Sequence, residues 1–350
     1  MKTVCVKCYK KYVFWTIIIT IVLVGFIGIF YEQYGQEPYI SKYQTQGNDE
    51  YIEVNNEIKF LEDGTPYLVH PDNILSGGPP KDGIPSIDNP KYVSIQDADE
   101  WIADNELVLA LKFNDEIRIY PHQIMVWHEI VNEEINSTPI AITYCPLCGS
   151  GIAYVREVDM DGVKKETEFG TSGKLFNSNL VMYDRLTDTH WSQINGEAIL
   201  GELTGQKLEK LTLHTVVWSE WIAENPEGLV LSQETEFDRE YGVDPYGSYY
   251  SDERLFFPIE NTNDFLHPKD VIFGIHIDDE YQAYREESLE RGIVYNDTIG
   301  GIELSIERLN SGEVIILNTQ TQEQIAYERD FWFSWYAFNP TTTIYGVEGR

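Results

Sequence analysis

The chain has 350 residues, long enough for two ordinary domains or one larger β-rich domain with a substantial core, and carries a formal charge of −33. Four of its 25 basic residues, Lys2, Lys7, Lys10 and Lys11, are crowded at the N-terminus. The remaining body is so acidic that it repels phosphate backbones, and no nucleic-acid partner is expected.

Val13 to Phe30 is an uncharged apolar run behind those lysines, long enough to span a bilayer as one helix and ending without small residues at a cleavage site. The positive-inside rule then predicts a cytoplasmic tail at residues 1–12 and a transmembrane signal anchor at 13–31. A polar tether at 32–50 and an extracytoplasmic domain at 51–348 follow. The expected location is the cell membrane, single-pass, with the membrane as the one partner inferred.

The stretch from Ser76 to Pro90, rich in proline and glycine, predicts a long loop. Asp97 to Asn105 predicts a short helix with Asp97 as its cap. Leu107 to Tyr120 alternates about Asn114-Asp115 as a β-hairpin does, and Val271 to Tyr284 matches it position by position. The likeness continues from Ile130-Val131-Asn132-Glu133 to Val294-Tyr295-Asn296-Asp297. Two related β modules are therefore expected, starting near 107 and 271. Pro121 to Asn132 reads as a helix, Val216 to Asn225 as another that stops at Pro226, and Asp330 to Pro340 as a third with Phe331, Trp335 and Phe338 on one face. The fold class is mainly β (α+β), two related β-rich modules with short helices.

Chemistry concentrates at Cys145-Pro146-Leu147-Cys148-Gly149, in a turn between strands expected at Pro139–Tyr144 and Ile152–Val155. A thioredoxin-like pair would instead open a helix. The turn resembles a zinc knuckle, which supplies two of four ligands. No second such pair lies beyond the apolar run, so His128 is the candidate further ligand for Zn or Cu, with its neighbour Glu129 able to orient or act as a base. The same pair in an exported protein could be a disulfide or a redox couple, or two reduced, buried small hydrophobes. Phe169 to Trp191 supplies candidate binding residues: Ser172, Asn177, Asn179, Tyr183, and an Asp184/Arg185 pair in which Arg185 would bind an anionic group and Asp184 would fix it. No GxSxG, Walker loop, HExxH or dinucleotide fingerprint is present.

GGPPKDGIPSIDNPK, WHEIVN, TYCPLCGSG, FGTSGKLFNSNLVMYDR, HPKD and FWFSWYAF together resemble domain of unknown function family 3179, over roughly residues 60 to 345. The resemblance implies an exported or membrane-associated protein and carries over no catalytic role. The leading expectation is an extracytoplasmic protein binding a thiophilic metal at the cysteine turn. A thiol-disulfide enzyme using Cys145 and Cys148 and a noncatalytic cell-envelope binding module are the alternatives.

Overall fold

The structure, a computed structural model, describes residues 58–347. The tail and anchor expected at 1–31 and the tether at 32–50 lie outside the described residues. Among those described, no helix is long and apolar enough to cross a membrane.

The described chain is mainly β with a few short helices. A first module opens with the hairpin β1 (Leu107–Phe113) and β2 (Glu116–Pro121), followed by α1 (His122–His128). The three-stranded meander β3 (Ile130–Ile135), β4 (Thr138–Cys145) and β5 (Ser150–Val155) comes next. An insertion then builds the antiparallel strands β6 (Phe169–Phe176), β7 (Asn179–Asp184), β8 (His190–Ser192) and β9 (Glu197–Leu200). The module closes with β10 (Glu209–Leu211), β11 (Leu213–Val217), α2 (Trp218–Glu224) and β12 (Leu229–Leu231).

The second module runs β13 (Val271–Ile277), β14 (Glu280–Arg285), a 3-10 turn at Glu286–Ser288, then the meander β15 (Val294–Ile299), β16 (Ile302–Arg308) and β17 (Val314–Asn318). It ends with β18 (Glu328–Phe331), α3 (Trp332–Phe338) and β19 (Thr343–Ile344).

The two modules share connectivity and register. Leu107 pairs with Val217 as Val271 pairs with Phe331, and Ala110 with His214 as Gly274 with Glu328. The closing strand is parallel in both, Leu229 opposite Arg118 and Thr343 opposite Gln282. Ile130 faces Thr143 as Val294 faces Glu307, with no gap between hairpin and meander. The same turn chemistry recurs: Asn136-Ser137 and Gly300-Gly301 both take the left-handed backbone that a two-residue hairpin loop demands. A tyrosine–acid clasp recurs as well, Tyr120 donating to Glu133 and Tyr284 donating to Asp297 at 2.8 Å.

The bounds of four expected helices need correction. The helix expected at Asp97–Asn105 lies at Ile95–Ala98 and is capped by Ser94, whose Oγ accepts the Asp97 amide at 3.1 Å. The helix expected over Pro121–Asn132 stops at His128, because Glu129 turns left-handed (φ 59) and sends the chain into β3. The Val216 and Asp330 helices likewise start two residues later than their apolar pattern, after strands that end at Val217 and Phe331.

The modules grip each other reciprocally. The cysteine turn of the first lies on β18 of the second, where the Phe331 amide donates to the Cys148 carbonyl at 2.8 Å. The corresponding turn of the second, Leu309–Glu313, lies on the first module's hairpin sheet. There Lys112 Nζ reaches Glu313 at 2.7 Å, and a Cβ on Gly312 would touch Val216 at 3.4 Å. Both turns are closed by the same backbone bond, Cys148 to Cys145 at 3.1 Å and Gly312 to Leu309 at 3.0 Å. Gly274 occupies the position of Ala110, but its Cβ would meet the buried Trp335 ring at 2.5 Å. Gly274→Ala is therefore expected to cost about 1–3 kcal/mol in denaturant unfolding, with the fold retained.

Candidate active site at the cysteine turn

Strand β4 ends on Cys145, and the turn places Cys148 directly beneath it, so the two sulfurs lie 3.1 Å apart as free thiols. Gly149 completes the turn at φ 63, a conformation suited to glycine, with the Phe331 ring 3.0 Å from where a Cβ would stand. Cys145 is 2% exposed and Cys148 0%. Insertion strand β7 and its turn provide the polar wall on one side. Asn179 Nδ2 donates to Cys148 Sγ at 3.4 Å, and the Cys148 thiol lies 3.4 Å from the Ser178 carbonyl. Gln193 holds Asn179 at 2.8 Å and also donates to Thr143 on β4, so the amide is oriented rather than free to rotate.

The two thiols are not equivalent. Burial, followed by the adjacent Cys148 and the charge of Glu129, pushes Cys145 well up. For Cys148 burial acts in the same direction, but the thiol of Cys145 and the amide of Asn179, with the Ser334 hydroxyl nearby, outweigh it and hold its pKa down.

Two buried carboxyls flank the pair. Glu129, whose charge bears on both thiols, is pushed up to about 8 by burial, opposed by the Tyr246 hydroxyl at 3.4 Å. Asp330 on β18 is 0% exposed, and neither of its oxygens has a hydrogen-bond partner among the described residues. The hydroxyls of Ser150, Ser178 and Ser334 are buried and unpartnered in the same region.

A strap from Tyr241 to Lys269 covers the turn. Tyr249 donates to the Leu147 carbonyl at 3.0 Å, and Tyr246, Tyr249 and Tyr250 all have their pKa values raised by burial first and by the nearby cysteines among other causes. Lys269, 5% exposed, fastens the strap by donating to the carbonyls of Tyr249 (2.9 Å), Asp252 (2.5 Å) and Arg254 (3.2 Å), with Tyr249's ring 3.8 Å from its Nζ.

The expected site residues divide. Asn179 touches Cys148, and Asn177 fastens the strap by accepting the Glu260 amide at 2.8 Å. Ser172 donates to the Val181 carbonyl at a bulge in β6. Tyr183 donates to Asp82 at 2.7 Å. Asp184 and Arg185 are not partners of each other. Asp184 caps the following turn through Thr187 N (2.7 Å) and accepts from Trp191 Nε1 (2.9 Å), while Arg185 binds Asp88 (2.7 Å), Glu168 (2.6 Å) and Ser86 (2.9 Å). His128 has both ring nitrogens engaged, Nδ1 with the Pro85 carbonyl at 2.7 Å and Nε2 with the Tyr241 hydroxyl at 2.6 Å. Of the adjacent pair His128-Glu129, it is the glutamate that bears on the sulfurs, because the left-handed step at Glu129 rotates it off the helix face. Among the described residues no three or more His, Cys, Asp and Glu side chains are grouped to hold a metal ion. Among the described residues Asn179 is the side chain, besides the cysteines themselves, that hydrogen-bonds a sulfur.

Residues 81–323 match the family model described as Protein of unknown function (DUF3179). The chain belongs to this family. No curated protein and no solved structure matches it. The span that defines the family holds the cysteine turn, Glu129, Asn179 and the strap, and it ends before Asp330 and Ser334. Those two residues were missed in the sequence, although a signal existed. VVWSEWIAEN (216–225) and DFWFSWYAFN (330–339) share two tryptophans, an alanine and an asparagine at the same spacing. Both asparagines donate to the second tryptophan's carbonyl at 3.2 Å. Aligned, they set Asp330 against Val216 and Ser334 against Glu220.

Two expectations follow. Between about 4.5 and about 8 the folded protein holds a proton on Glu129 that the unfolded chain has released, so this residue opposes folding increasingly as pH rises through that window. Glu129→Gln should raise stability by several kcal/mol at pH 8 in denaturant titrations, with the gain vanishing toward pH 4.5. Lys269→Met should loosen the strap and raise the native-state rate of thiol labelling at Cys145 and Cys148 at least tenfold.

Proposed function

We propose that Cys145 and Cys148 form a dithiol–disulfide redox couple, enclosed beneath the tyrosine strap, in a membrane-anchored extracytoplasmic protein. The observation that carries this reading is the sulfur separation of 3.1 Å. Two thiolates on a tetrahedral zinc with bonds near 2.3 Å stand about 3.8 Å apart. A disulfide needs about 2.05 Å, so the pair is closer than a metal would hold it and about 1 Å from bond formation. The donor set supports the same reading, since His128 is engaged elsewhere. The anchor rests on the apolar run at 13–31, and an exterior location is one in which such a couple can cycle.

Cys145 is the exchanging thiol and Cys148 the internal one. Glu129 takes the proton of Cys145, whose sulfur attacks a disulfide of a partner thiol carrier and releases one thiolate. Cys148, the more acidic thiol, then displaces the second thiolate and closes the ring. Two electrons pass to the partner disulfide, which becomes two thiols by taking up the two protons lost. A carboxyl near 8 suits this role, because a base is most effective when its pKa lies close to the working pH.

Equilibration of the full-length protein with mixtures of oxidised and reduced glutathione, followed by alkylation and mass analysis, tests the reading. One reversible two-electron transition linking Cys145 to Cys148 is expected, abolished by Cys145→Ser and by Cys148→Ser. Absence of an intramolecular disulfide at every ratio, or one equivalent of tightly bound zinc lost with either substitution, would overturn it.

A further inference from the structure

We propose that Asp330 is the proton donor to Cys148 when the disulfide is reduced, and the acceptor of that proton when it forms. The inference rests on the redox reading above and deepens it. Closing and opening a disulfide moves two protons at two sulfurs, and both sulfurs here are buried. Glu129, 6% exposed, can serve Cys145 and exchange with solvent. Cys148 lies deeper and needs a group of its own.

Asp330 is that group on three observations. Its strand is tied to the cysteine turn by the 2.8 Å bond from the Phe331 amide to the Cys148 carbonyl. Its carboxyl is 0% exposed with both oxygens unpartnered, an arrangement in which the neutral acid is the form that costs least in the low-dielectric interior. The groups facing it are Glu328 from its own strand, Ser150, Cys148 and Tyr154 from the first module, and Lys210, which is itself paired with Glu328. None forms a salt bridge with it.

The third observation is the second copy of the site. Where the first copy has Cys145, Cys148, Glu129 and Asp330, the second has Leu309, Gly312, Ile293 and Val216, so thiols and carboxyls are absent together. The second turn packs on its strand with Val216 at the position of Asp330, so an acid at that position is not a requirement of the architecture.

In the reductive direction a small thiolate attacks the Cys145 sulfur and bonds to it. The S–S bond breaks and Cys148 leaves with the electron pair, taking the Asp330 proton. A second thiolate attacks the mixed disulfide, and a new small-molecule disulfide departs. Cys145 then takes the proton of Glu129. Two thiolates supply two electrons, two carboxylates remain, and both recover protons from solvent.

The test is the rate at which dithiothreitol reduces the Cys145–Cys148 disulfide in the full-length protein, corrected for the thiolate fraction of the reagent. Asp330→Asn and Asp330→Val should each lower it at least tenfold at pH 7, within the range typical of a lost general acid, without lowering the unfolding midpoint. A purely structural role predicts the reverse, a lower midpoint and an unchanged rate. Wild-type rates in both variants would overturn the role of Asp330 while leaving the redox couple standing. Failure of the wild type to form the disulfide at all would overturn both.

Discussion

The backbone hydrogen bond from Phe331 to Cys148 joins elements that are far apart in sequence and belong to different modules. Because Phe331 is also the last ladder residue of β18, opposite Val271, this bond fixes the cysteine turn against the second module's sheet. It sets where Asp330 and Ser334 stand relative to the sulfurs, and it brings the Phe331 ring over Gly149. The site is thus a product of module docking, and neither module contains it alone.

The opposite turn shows how the same scaffold is built without the cysteines. There Glu313 is satisfied by Lys112 and by Ser311 at 2.7 Å each, with His214 at 3.8 Å. His214 in turn contacts the Tyr327 hydroxyl at 2.8 Å, and its pKa is held down to about 4 by burial. These are the paired, hydrogen-bonded groups that a structural contact requires. The cysteine side has the inverse character: two thiols, two buried carboxyls and three serine hydroxyls, few of them paired.

Much of this was legible in the sequence. Hairpin alternation about Asn114-Asp115, its echo at Val271 to Tyr284 and the strand–turn–strand setting of the cysteines all follow from period-two patterns, which are local. The expected helix at Asp97 lay too late because Ser94 caps as well as an aspartate and stands first. His128 and Glu129 could not be told apart by spacing. A left-handed residue at the end of α1 decides which side chain meets the sulfurs, and that conformation has no strong signature when the residue is not glycine. The adjacency of Asp184 and Arg185 suggested a pair, but neighbours on a strand point to opposite faces, and each found its own partners. Asp330 required both modules to be aligned through their Trp-x-x-Trp helices, a long-range relation that local pattern does not carry.

Unpartnered buried polar groups each cost on the order of 1–3 kcal/mol, and among the described residues Asp330 is the carboxylate that has both oxygens in that state. A cost borne by the fold as such should recur wherever the fold recurs. At the position of Asp330 it does not: Val216 stands there in the other copy, and Glu313 in the turn beside it is ion-paired with Lys112. Glu129 adds a second cost of the same kind, a non-glycine residue in left-handed conformation carrying a buried acid, where the other copy has Ile293. A buried carboxyl without a partner and a left-handed non-glycine residue thus stand at the cysteine turn and not at the matching positions of its counterpart, a pattern that structural packing alone does not call for. The strap keeps the two buried thiols from water and is fastened by Lys269 and Asn177, for neither of which is a hydrogen bond to a sulfur found among the described residues.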